Sequence, residues 1–147
     1  MKGNNTKAIR IPGILHDDKG NLISGTVTAI LSTRSDHDII ALQFEEKIQI
    51  SLAFINVEKA VQSANSAYFG GRVNQEGFAM EHVITVGTVA LGSDKLTAKE
   101  GRVTVAATSS GNNNRISVRF EGKAEIIVDY APVRLLADEA RGGKIFS

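Results

Sequence analysis

Residues 47–67 read KIQISLAFINVEKAVQSANSA, and the apolar period changes in the middle of that stretch. Ile48, Ile50 and Leu52 alternate with Lys47, Gln49 and Ser51, the period-2 pattern of a strand with one buried face and one wet face. From Phe54 the pattern slows. Phe54, Val57, Val61 and Ala64 recur at i, i+3, i+7 and i+10, with Asn56, Glu58, Lys59, Gln62 and Ser63 falling between them. The spacing predicts an amphipathic helix over 54–67 whose apolar stripe covers a sheet. Gly70-Gly71 is a fitting stop for it.

On the N-terminal side, strands are expected at 8–15, 22–32, 39–44 and 47–52. Asp17-Asp18-Lys19-Gly20-Asn21 turns the first strand into the second. Pro12 inside the first strand marks it as an edge strand or a break. On the C-terminal side, strands are expected at 78–91, interrupted near Gly87, and at 102–108, 116–120 and 124–130, where Pro132 ends the run. Residues 135–147 read as a polar helical turn with an arm. No period of 20–50 residues repeats. The expected fold is therefore mainly β: an antiparallel sandwich or barrel of about eight strands with one short amphipathic helix packed against it. A single domain spans residues 1–147, with arms at about 1–7 and 137–147.

Composition narrows the function classes. With no cysteine, the chain has no disulfide, no thiolate metal site and no cysteine nucleophile. No tryptophan and 5% aromatics leave few rings for stacking bases or sugars. The net charge of +1 steers nothing by itself. No apolar h-region follows Met1–Lys7, and no apolar run approaches a membrane span, so the expectation is synthesis in the cytoplasm without a signal peptide and no membrane partner.

Candidate chemistry is sparse. His16 precedes Asp17 and Asp18, and His37 stands between Asp36 and Asp38, but both clusters fall in expected turns, where aspartate serves its own backbone. His82 shares a strand face with Phe78, Met80 and Ile84, without a serine or carboxylate at a triad spacing. Gly70-Gly71-Arg72 follows a helix rather than opening one, and Gly142-Gly143-Lys144 has no room for a helix after it, so neither is a phosphate cradle. These readings predict no catalytic residue, no metal and no cofactor.

The most regular polar pattern lies in the last third. Arg115, Ser117 and Arg119 share one strand face, and Arg102, Thr104, Ala106 and Thr108 form a matching row across the proposed hairpin, extended by Lys123 and Arg134. Such a row could track a phosphate backbone, or serve as an ordinary wet face or subunit contact. Lys2, Lys7, Arg141 and Lys144 are the charged residues of the expected assembly arms. The leading expectation is a self-assembling structural subunit of a large particle, with a bacteriophage virion component (tail-tube, neck or capsid-associated) as the setting. Its partners would be copies of itself and other subunits of that particle. The alternative is a nucleic-acid-binding β domain that uses the arginine-bearing face.

Overall fold

The computed structural model describes residues 5–92 and 98–142. Eight antiparallel strands follow one another around a closed barrel: β1 (Asn5–His16), β2 (Leu22–Thr33), β3 (Asp38–Phe44), β4 (Ile48–Ala53), β5 (Ala79–Leu91), β6 (Lys99–Ser109), β7 (Asn114–Phe120) and β8 (Ala124–Asp129). Helix α1 (Phe54–Phe69) follows β4, and α2 (Tyr130–Ala140) follows β8. The barrel closes where Gly13–His16 of β1 pair with Glu125–Val128 of β8. Eight strands leave an interior that side chains can fill. Val27, Leu31, Ile40, Leu42, Phe44, Ile50, Val103, Val105, Ile116 and Ile126 fill it, all essentially inaccessible.

The period change at residue 54 is where the strand becomes a helix. Phe54, Val57, Val61 and Ala64 are all buried, and α1 lies over β5 and β6. Among the described residues there are two helices, not one. α2 buries Tyr130, Val133, Ala137 and Ala140 over β1 and β2, with the spacing of the α1 stripe. Pro132 does not end the run. It sits in the first turn of α2, where backbone N–H groups have no helical acceptor and proline removes nothing. Residues 137–140, assigned from sequence to an arm, are the last turn of this helix.

The chain is built twice. Four strands and a helix are followed by four strands and a helix, with matching residues 76 positions apart from the second strand of each set through its helix and 74 apart in the first strand. This period lies beyond the 20–50 residues of small repeats. Phe44-Glu45 and Phe120-Glu121 show the correspondence: both glutamates have positive φ (51° and 54°). Glu45 Oε2 accepts from the Thr26 N–H (3.3 Å) and Glu121 Oε2 from the Arg102 N–H (2.6 Å). The preceding glycines, Gly25 and Gly101, leave the space that this carboxylate and phenylalanine ring occupy.

β1 and β5 are the long strands, and each changes neighbours partway. Among the described residues, 79–87 of β5 pair with β6 alone, Thr88 and Val89 with both β6 and β4, and Ala90 and Leu91 with β4. Residues 5–12 of β1 pair with β2 alone before β8 joins at Gly13. The edge-strand reading of Pro12 is therefore correct, and the strand does not break there. Nor does β5 break at Gly87; there the backbone of β4 comes so near that a Cβ would collide with the Ser51 carbonyl and the Val103 side chain. Because a backbone carbonyl cannot swing aside, Gly87→Ala should destabilise the protein by about 3 kcal/mol. Thermal unfolding should then show a melting temperature lower by roughly 5–10 °C.

Candidate functional site

The outer face of β5–β8 carries the arginines singled out by the sequence. The register places Thr108 opposite Arg115, Ala106 opposite Ser117 and Thr104 opposite Arg119, so the two polar rows do lie side by side. β8 completes each row with Asp129 opposite Arg115, Ile127 opposite Ser117 and Glu125 opposite Arg119. Glu125 and Asp129, which in the sequence simply dilute the charge of this region, are thus placed by the β7–β8 register directly opposite the two arginines.

The arginines are therefore balanced. Arg119 donates to Glu125 Oε1 at 3.0 Å, and Arg115 Nε reaches Asp129 Oδ1 at 3.5 Å. Burial pushes the Glu125 carboxyl up, but hydrogen bonds from Ser117 and Arg119, the Arg119 charge and a further contact from His16 together hold it below its ordinary value. His16 stands at the end of β1, not in the turn, with Nδ1 3.5 Å from Glu125 Oε1. Arg102 lies at the far end of β6 beside Val86 of β5. Lys123 is in the β7–β8 turn and exposed, and Arg134 is on α2, outside the rows.

Arg134 and Arg115 meet instead across an open groove of about 770 Å³. Its floor and walls are Phe78, Met80, Tyr130 and Pro132, with the amides of Asn65, Asn112, Asn113 and Asn114 along one side. Asn65 is committed within the fold: its Oδ1 accepts from Ser109 Oγ (2.7 Å) and Asn114 Nδ2 (2.9 Å). Desolvation, with Glu58 adding to it, pushes the Tyr130 hydroxyl above its ordinary value, so it stays neutral at physiological pH.

Of the arm residues, Lys2 and Lys144 lie outside the described residues. Lys7 belongs to β1. Arg141 caps the end of α2, where Nε donates to Asp38 Oδ2 (2.8 Å) and its two terminal nitrogens donate to Glu58 (3.1 and 3.2 Å). Its guanidinium also lies 5.3 Å from the centre of the Phe54 ring. Arg141 is thus a tie between both helices and β3 rather than part of an arm. It stands 76 residues after Asn65, which makes the corresponding tie to β7 through amides.

His37 Nδ1 contacts Asp36 at 2.6 Å and holds that exposed carboxyl below its ordinary value. His82 is exposed, in a row with Met80, Ile84 and Val86 on the outside of the barrel. Among the described residues, no three of His, Asp and Glu come close enough to share a metal ion. No helix among them is long and apolar enough to cross a membrane. The chain matches no protein-family model and no curated protein.

Because the folded pKa of Glu125 is depressed, its contribution to stability is fully present above the ordinary value of 4.5 and is lost as pH falls through the folded value. Glu125→Gln should therefore cost about 1 kcal/mol near neutral pH, held to that size by partial solvent access. Denaturant titrations should show the cost shrinking to nothing in strong acid.

Proposed function

We propose that the chain is a self-assembling structural subunit, without catalytic activity of its own, that builds a large particle from copies of itself and companion subunits. The supporting observation is the apolar row on the outside of β5. Ile84 is 66% exposed and Val86 61% exposed, on a small protein whose barrel interior is already filled by its own side chains. Apolar side chains held outward on a strand are characteristic of a surface awaiting a partner. The setting we propose is a bacteriophage virion, in a tail-tube, neck or capsid-associated position, where small β subunits make repeated contacts.

The groove between Arg115 and Arg134 favours a second reading, contact with a nucleic-acid strand. Two exposed cations, a row of amides and the half-buried Phe78 ring offer phosphate, base-edge and stacking contacts. Weighing against it, Asp129 lies in the same groove, and the remaining arginines of the sheet face have carboxylate partners or neighbours.

Light scattering coupled to size exclusion separates the two when run from about 0.05 to about 1 M salt. The assembly reading expects a mass of several subunits that persists or grows at high salt, since apolar burial is not screened. Fluorescence anisotropy with a labelled single-stranded oligonucleotide completes the test. Tight binding by a monomer, falling steeply with salt and lost in Arg115→Ala with Arg134→Ala, would replace assembly with the second reading.

A further inference from the structure

We propose that residues 80–86 of β5 form a two-fold interface with a second copy of this chain, the two strands pairing antiparallel, edge to edge, about Val83. This rests on the self-assembly reading and names the surface that would carry it. The argument begins with hydrogen-bond phase. Arg102 donates its N–H to Glu121 Oε2, and its carbonyl accepts from the Glu121 N–H, so both of its backbone groups face β7. The Thr108 carbonyl likewise accepts from the Asn114 side chain on β7. In an antiparallel ladder such orientation alternates along the strand. The even-numbered residues of β6 therefore turn away from β5, and their opposite numbers on β5 turn toward its open edge.

Those opposite numbers are Met80, His82, Ile84 and Val86, paired with Thr108, Ala106, Thr104 and Arg102. Their side chains form the exposed outer row, with Met80 47% exposed beside the still more open Ile84 and Val86. The residues whose backbone groups point to the edge where no described strand pairs are thus those of the exposed outer row, three of them apolar. Pairing about Val83 sets Met80 of one copy against Val86 of the other, and His82 against Ile84. Each such pair is of the kind that exchanges two N–H···O bonds. The row contains no carboxylate, lysine or arginine, so two copies meet without opposing like charges, and the histidine faces isoleucine rather than its own image.

The other half of the molecule supplies the contrast. Thr26 exchanges bonds with Glu45 as Arg102 does with Glu121, so its partner Pro12 stands in the phase of Val86. Arg10 then stands where Ile84 does. Proline offers no N–H to a partner strand, and an arginine in the row resists stacking on itself; these are usual blocks on an open edge. The same position in the fold is closed to pairing in β1 and open to it in β5. That difference points to a second copy at β5, the one partner certain to present the complementary edge.

The test transplants the β1 edge onto β5. The full-length chain and its Ile84→Arg/Val86→Pro variant are compared by light scattering at about 100 μM, a concentration at which even weak self-association is visible. The expected result is a two-fold fall in the mass of the smallest stable species, with an unchanged circular-dichroism spectrum. Should the variant fail to fold, His82→Cys/Ile84→Cys decides. The chain has no other cysteine, so oxidation should give a covalent dimer on a non-reducing gel. No cross-link, or an edge variant whose mass equals that of the parent assembly, overturns this interface and leaves self-assembly standing through another surface. A parent chain that is monomeric throughout overturns both readings.

Discussion

A strand has two edges, and β1 and β5 have both of theirs filled along only part of their length. Their C-terminal portions lie between two neighbours and close the barrel; their N-terminal portions pair on one side alone. The rest of the structure follows from that division. The one-sided extensions leave inner faces that the closed part of the barrel cannot cover, and the two helices cover them, α1 over β5 and β6 and α2 over β1 and β2. Among the described residues, the extensions also leave one edge of each strand without a neighbouring strand.

The doubled arrangement explains why such different side chains hold equivalent places. From the last turns of α1 and from the end of α2, one residue reaches across to the start of the third strand of a four-strand unit. In one unit Asn65 binds Asn114, and in the other Arg141 binds Asp38. The geometry is kept while the chemistry changes from amide pairing to an ion pair. The turns at Glu45 and Glu121 keep both: in each, a carboxylate at a positive-φ corner accepts from an N–H of the neighbouring strand. Where the halves differ outside such ties, the fold does not require the difference. The apolar row of β5 beside the proline and arginine of β1 is the clearest case.

Electrostatics temper the arginine-bearing face. Arg119 and Glu125 form a close pair partly withdrawn from solvent, whereas Arg115 and Asp129 are both mostly exposed and farther apart, an arrangement worth little in water. The face is thus close to neutral in its middle. Free positive character is displaced toward the groove mouth at Arg134 and the turn at Lys123, which lie on different elements.

By itself the sequence determined the local elements. Period-2 runs in β1, β4, β6 and β7 and the slower stripe from Phe54 were legible because side-chain alternation and helical spacing depend only on backbone geometry. The second helix had the same stripe in Tyr130, Val133, Ala137 and Ala140, but Pro132 concealed it, since one proline ends or begins a helix according to its place in the first turn. Alternation likewise grouped Met80, His82 and Ile84 on one face without saying which side of the sheet was inside. Only the tertiary structure decided that face was outward, by closing the barrel and laying α1 over the other. It alone set Asp129 and Glu125 against the arginines, and it alone left the β5 edge open, because strand pairing joins residues far apart in the chain and no local pattern records which edge goes unfilled.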